Sequence, residues 1–258
     1  ESVFWVRAAF KFESSSSLEG RWVVSLDYAP LDVVDMYIFD GQGEQVRHIA
    51  SGTSKPFDAR PVLHRTLLYP IENKGASEYE LWLRVQSHTS IQIPLNLRTA
   101  QAYFEHETLS TYGWGIFFGI ILALALYNFF LFASVKDAAY LYYVLYLLGL
   151  SGVVLFLNGQ GGQYLWSRYE AWNKYALLMF TCFAVFWALQ FSRAFLDTRK
   201  ALRRFDNAMI GLMVLTVAAA LGGGLGFDVS LPRLSGTIAA LFASVLIVVG
   251  VKALKTGN

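Results

Sequence analysis

The chain has 258 residues, of which 55% are apolar and 16% are charged, and its formal net charge is +2. This composition excludes an intrinsically disordered chain, which would carry fewer apolar residues and a larger net charge. A disulfide scaffold is also excluded, because the single cysteine, Cys182, has no partner within the chain.

The charge is unevenly distributed along the chain. Residues 1–110 carry ten basic and fourteen acidic side chains, whereas residues 111–258 carry eleven and five. The first segment therefore has an ordinary charge density, while the second is poor in charge over a longer stretch. The basic residues form no surface interleaved with aromatic side chains, so nucleic acid is not expected as a partner.

Residues 3–98 contain short runs of alternating apolar and polar positions separated by turn signals, a pattern typical of strands. The predicted strands are 3–12, 21–28, 34–39, 46–50, 62–71, 78–85 and 90–97. Seven or eight short strands at regular spacing predict an all-β sandwich over residues 1–98. The connector, residues 99–111, lacks Gly and Pro and is predicted to run as a helix into the next segment.

Residues 112–258 contain five long apolar runs, each close to the roughly 20 residues that a helix needs to cross a bilayer. They lie at about 112–133, 139–157, 175–194, 207–223 and 235–254. With residues 1–110 outside, the short loops place eight Lys/Arg on the inner side and three on the outer side, as the positive-inside rule requires. The sequence therefore predicts an all-α membrane bundle, with lipid as a partner, after an extracytoplasmic sandwich.

Both ends of the chain are expected to continue. The sequence begins with Glu1 and contains no signal peptide, yet an exported domain ahead of the first span requires one. The chain also stops shortly after the fifth predicted span, so we expect further sequence there too.

No catalytic constellation is found, and the histidines match no metal-ligand spacing, so we expect a non-enzymatic chain without metal or cofactor. Arg60, His64 and Arg65 follow a turn, and Trp82 lies in an alternating strand. Forked arginine hydrogen bonds and aromatic stacking are suited to anions and sugars, so these four residues are the candidate ligand-binding set. The alternatives are a solvated cluster for the first three and a core position for Trp82.

Three residues of the first predicted span are candidates for helix packing. Gly115 and Gly119 have the spacing of small-residue helix contacts, and Asn128 is a polar residue able to hydrogen-bond between helices. Ionisable residues are almost absent from all five spans, which argues against an ion or proton pathway.

An ordered series of motifs carries a family resemblance. The series in the outer segment is GTSKPFDARP at 52–61, His64-Arg65, LRVQS at 83–87 and Pro94-Leu95. The membrane half adds Gly119, Tyr127-Asn128, FLF at 130–132, Lys136-Asp137, YLYY at 140–143, NGQG at 158–161 and QYLW at 163–166. The whole chain resembles the seven-transmembrane receptors with diverse intracellular signalling modules.

This resemblance implies a bacterial inner-membrane sensor with a periplasmic, jelly-roll-like sandwich that binds carbohydrate or another small ligand. Seven helices, of which five are present here, would relay the signal to a cytoplasmic histidine kinase, diguanylate cyclase or phosphatase module in the same polypeptide. Such an output belongs to two-component or cyclic-di-GMP signalling, and a homodimer is one expected assembly. The competing hypotheses are a transporter or channel with an accessory periplasmic domain, and a membrane enzyme acting on lipid or glycan.

Overall fold

The computed structural model describes residues 3–11, 21–72, 78–87, 91–201, 203–225 and 231–256. The chain divides into two compact units, each described by itself. The sandwich unit comprises residues 1–113 and 155–173, and the helical unit comprises residues 114–154 and 174–258.

The described part of the sandwich unit contains seven strands in two antiparallel sheets. The strands are β1 (Val3–Lys11), β2 (Arg21–Leu26), β3 (Val33–Asp40), β4 (Gln45–Ser51), β5 (Leu67–Glu72), β6 (Glu78–Gln86) and β7 (Leu95–Thr99). One sheet has the order β1-β6-β3-β4 and the other has the order β5-β2-β7. β3 and β4 form a hairpin, in which the Asp40 carboxylate accepts the backbone N–H groups of Gln42 and Glu44.

The two sheets share one apolar core, which explains the alternation in the sequence. In β6, Leu81, Leu83 and Val85 are buried, while the side chains between them are only half-buried. They belong to the same buried cluster as Leu26 of β2 and Tyr69 of β5. Each strand therefore turns one face to the core, and the predicted β-sandwich is confirmed.

Two of the predicted strands are too long at their N-terminal ends. The strand predicted at 62–71 is wrong over its first half, because β5 begins at Leu67 and residues 61–66 form bends. The strand predicted at 90–97 begins only at Leu95, after Pro94, which has no N–H group to donate to a ladder. Residues 12 and 90, at the ends of predicted strands, lie outside the described residues.

Six α-helices follow the strands within the described residues. They are α1 (Ala100–Val135), α2 (Ala138–Leu157), α3 (Glu170–Phe195), α4 (Thr198–Ala201), α5 (Arg203–Gly224) and α6 (Leu231–Thr256). By length and composition α1, α2, α3 and α5 are able to cross a membrane, and α6 contains a shorter apolar stretch, Leu234–Val248. α1 is one uninterrupted helix, so the connector after β7 is helical as predicted.

The helical unit has its own buried core. Leu189 of α3, Met209 of α5 and Ile238 of α6 are completely buried in one cluster that also holds Cys182. At the end of α3, Arg193 donates from Nε and NH2 to the two carboxylate oxygens of Asp206, at 2.7 and 3.2 Å. This forked ion pair ties α3 to α5 across the short connection that contains α4.

Candidate ligand-binding and relay site

Arg60 closes the loop that separates the short 3₁₀ turn Phe57–Ala59 from strand β5. Its NH1 group donates to the backbone carbonyls of His64, at 2.7 Å, and of Arg65, at 3.3 Å. The guanidinium also lies over the Phe57 ring, 4.6 Å from its centroid. The structure therefore brings Arg60, His64 and Arg65 together. The Arg60 guanidinium holds the loop in shape through its hydrogen bonds to these two backbone carbonyls.

Arg65 connects this loop to α1 through a forked ion pair with Glu107. Nε donates to one carboxylate oxygen at 2.8 Å, and NH2 donates to the other at 2.9 Å. NH2 also donates to Ser110 Oγ at 3.1 Å, and NH1 donates to Asn158 Oδ1 at 2.5 Å. One side chain thus joins the end of the loop, the first turns of α1 and the segment that follows α2, all within the sandwich unit.

His64 is held in one neutral tautomer by the same cluster. Its Nδ1 atom accepts the Thr66 backbone N–H at 3.2 Å, and its Nε2 atom lies 3.2 Å from Glu107 Oε1. Because Nδ1 is an acceptor, the proton sits on Nε2 and is donated to the carboxylate. Burial lowers the pKa of His64, and the attraction of Glu107 only partly opposes this effect.

This arrangement predicts a pH dependence of stability. A histidine whose pKa is lower in the folded than in the unfolded state stabilises the fold above the unfolded-state pKa of about 6.5. That contribution is lost as the pH falls, because the unfolded chain binds the proton more readily. We expect the melting temperature of the wild-type chain to drop more between pH 7.5 and pH 5.5 than that of His64→Asn. Equal drops in the two proteins would contradict a lowered pKa of His64 in the folded state.

A cavity opens beside the loop. It contains about 450 Å³ of space not filled by protein atoms, part of which is open to solvent. Arg60 and Arg65 lie at its wall together with Phe57, Phe156 and Asn173. Asn173 is fixed there, because its amide donates to Thr53 O at 3.3 Å and accepts the Trp166 indole N–H at 2.7 Å. The cavity is therefore framed by the loop and by the segment before and at the start of α3.

Gly159 allows the segment after α2 to approach the loop. Its φ angle is +77°, a conformation that side-chain-bearing residues rarely adopt. A Cβ atom at this position would lie 2.5 Å from the Arg65 carbonyl oxygen. The turn at 158–160 therefore makes a close backbone contact with the loop, and Gly161–Leu165 form a π-helical turn directly after it.

Trp82 lies elsewhere, on the outer face of the four-stranded sheet. Its indole N–H donates to Glu80 at 2.9 Å, and its ring meets Trp5 edge to face at 6.4 Å. Trp5 in turn stacks on Tyr37 at 6.1 Å. The alternative of a core position for Trp82 is therefore wrong, and its partners in the structure are these aromatic residues of the sheet.

The three candidates for helix packing make no contact between helices within the described residues. A Cβ atom built at Gly115 or Gly119 has no neighbouring atom within 4 Å in that part of the chain. The Asn128 amide donates to the Leu124 carbonyl of its own helix at 2.8 Å. Packing at these positions stays a prediction, whereas a close helix approach is observed at Gly149, where a Cβ atom would lie 2.8 Å from the Ala184 backbone.

Sequence reasoning missed the partners of the cluster, namely Tyr103, Glu107, Ser110 and Asn158. The first three recur at intervals of four and three residues on α1, so they share one helix face. That polar face at the start of an otherwise apolar helix was a usable signal. Within the described ranges, no three His, Cys, Asp or Glu side chains are grouped as they would be around a metal ion.

The fold and the cluster define a class of protein, a multi-pass membrane protein with an extracellular β-sandwich. Two family models match the chain: 7TMR-DISM extracellular 2 over residues 1–99, and 7TM diverse intracellular signalling over residues 110–258. The chain belongs to this family of seven-transmembrane receptors with diverse intracellular signalling modules, as the motifs predict. No curated protein and no solved structure matches the chain.

Proposed function

We propose that this chain is the sensing and membrane part of a bacterial receptor, in which the periplasmic sandwich detects a ligand or partner and the helices transmit the signal. The observation that carries the proposal is the forked ion pair between Arg65 and Glu107. It attaches the candidate ligand loop to α1, which continues without a break into the first predicted span.

The proposed signal is a change at this ion pair. A ligand that contacts the loop shifts the receptor between two states only as far as its affinities for the two states differ. Arg65 is well placed to express such a difference, because its hydrogen bonds reach α1 and Asn158 at once. The signal then passes through the helices to an output module that belongs to the same polypeptide but lies outside these 258 residues. The proposed assembly is a homodimer.

Carbohydrate is one candidate ligand, and the outer face of the four-stranded sheet supports it. Trp5 is 55% exposed and forms an aromatic group with Trp82 and Tyr37. Arg7 lies over the Trp82 ring and pairs with Glu80. An exposed aromatic platform flanked by polar groups that can hydrogen-bond is the chemistry expected for sugar rings.

The proposed relay is testable without knowing the ligand. The full chain in lipid nanodiscs is compared with Glu107→Gln by hydrogen–deuterium exchange. Amides at residues 100–113 are expected to exchange roughly tenfold faster or more, because a lost charge-assisted pair costs about 1.5–3 kcal/mol. Signal transmission further predicts altered exchange at residues 136–138, between α1 and α2, and at residues 196–201, in the connection from α3 to α5 that contains α4.

Glu80→Gln is the matched control, since it removes a carboxylate whose partners on the sheet face are Arg7 and the Trp82 indole. It should leave all three regions unchanged. A change confined to residues 100–113 in Glu107→Gln would contradict transmission through the helices. Solute uptake by proteoliposomes that contain the chain would favour the competing transporter hypothesis.

A further inference from the structure

We propose that the cavity beside Arg60 binds a small organic carboxylate, whose head group pairs with the Arg60 guanidinium. The assignment of this carboxylate as the sensed ligand rests on the proposed function, but its binding does not. The cavity lies within the sandwich unit, and the residues that carry the argument are Lys55, Phe57, Arg60, Phe156 and Gly162.

Arg60 is a half-buried cation that pairs with no carboxylate among the described residues. NH1 is occupied by the two loop carbonyls, whereas Nε is shielded from solvent and has no acceptor in the described part of the chain. A buried donor without an acceptor is costly, and a buried charge without a counter-charge is more so. Burial lowers the pKa of Arg60 to about 10, which still leaves the group charged at neutral pH. Arg60 therefore has no counter-charge among the described residues, and a bound anion would supply one.

The surrounding charges favour an anion as well. Lys55, Arg60 and Arg65 line the cavity, and no Asp or Glu is found among the described residues of its wall. The charge of Arg65 is already matched by Glu107, so Lys55 and Arg60 leave a net positive wall. A neutral sugar would not satisfy this charge.

The geometry favours a carboxylate with an organic body. The Arg60 Cζ atom lies 4.6 Å from the centroid of the Phe57 ring, and NH2 makes no hydrogen bond within the described residues. NH2 can therefore donate a charge-assisted hydrogen bond to a carboxylate oxygen. Phe57 and Phe156, with Ala29 and Pro30, supply the apolar part of the wall, against which the body of such a molecule would pack.

The test is isothermal titration of the full chain in nanodiscs with benzoate, succinate, inorganic phosphate and glucose. We expect saturable binding of benzoate or succinate, and a loss of affinity of roughly tenfold or more in Arg60→Gln, because the charge-assisted hydrogen bond to the carboxylate is removed. Arg47→Gln is the matched control: Arg47 is an exposed arginine that donates to Pro70 O and does not line the cavity. Its affinity should equal that of the wild type.

Gly162→Leu keeps the test decisive if Arg60→Gln does not fold. Gly162 lines the cavity, and a Cβ atom there has no described atom within 4 Å, so a leucine side chain is expected to be accommodated, to compete with the ligand for the cavity and to abolish binding. Binding that survives in Gly162→Leu, equal losses in Arg60→Gln and Arg47→Gln, or phosphate or glucose binding more tightly than both carboxylates would overturn the proposal.

The same titrations separate this proposal from the relay. Carboxylate binding that leaves amide exchange at residues 100–113 unchanged supports the site and contradicts the carboxylate as the sensed ligand, while the Glu107→Gln comparison tests the relay by itself. If Glu107→Gln alters amide exchange while the wild-type chain binds neither benzoate nor succinate, the relay is supported and the carboxylate site is overturned.

Discussion

Replacing Arg65 with methionine should lower the free energy of unfolding of the sandwich unit by about 3 kcal/mol, because the largely buried Glu107 carboxylate loses its counter-charge and keeps only its contact with His64. The two side chains are only 14% and 16% exposed, so solvent screens the pair weakly. The variant also loses the hydrogen bonds to Ser110 and Asn158. The measurement is urea unfolding of the full chain in nanodiscs, followed by tryptophan fluorescence.

A double-mutant cycle separates the ion pair from the packing of the arginine side chain. In Arg65→Met with Glu107→Leu both charges of the pair are removed, so the double variant should be more stable than Arg65→Met alone. Arg7→Met is the matched control, since Arg7 is 62% exposed in its pair with Glu80 and an exposed pair contributes little. If Arg7→Met lowers the free energy of unfolding as much as Arg65→Met does, the buried pair of Arg65 and Glu107 contributes no more than an exposed pair, which would contradict the prediction.

The local pattern of the sequence predicted the elements well where one physical cause dominates. The alternation in β6 reports burial on one face, and the Asp40 turn reports a carboxylate that accepts backbone N–H groups. The stretch at 61–66 has the apolar content of a strand, yet it is a loop because Arg60 holds its carbonyls. Arg60 competes with a neighbouring strand for these backbone carbonyls, and the alternation of apolar and polar residues does not reveal such a competition.

The site was predicted only in part, because its contacts are long-range. Arg60, His64 and Arg65 are neighbours in sequence, so their grouping is local. Glu107 and Asn158 are 42 and 93 residues away from Arg65, and no periodicity records such a distance. Trp82 was grouped with them by chemistry alone, whereas strand register places it beside Arg7 and Tyr37.

Replacing Gly149 with leucine is expected to disrupt the packing of α2 against α3 in the helical unit. A Cβ atom at Gly149 would lie 2.8 Å from both the backbone N and the Cα of Ala184, and backbone cannot rotate aside as a side chain can. Overpacking typically costs about 1–3 kcal/mol, and helices in a membrane rely on such close approach for association. Thermal unfolding in nanodiscs, followed by helical circular dichroism, should show a clearly lower midpoint.

Gly119→Leu is the matched control, because it adds the same side chain to another apolar helix. No atom of the described structure lies within 4 Å of a Cβ atom at Gly119, so the added leucine meets nothing there and the midpoint should stay near that of the wild type. If Gly119→Leu lowers the midpoint as much as Gly149→Leu, a second helix must pack on Gly119, as its spacing to Gly115 predicts. A normal midpoint in Gly149→Leu would instead show that α2 and α3 are able to separate without loss, which the buried contact at Ala184 argues against.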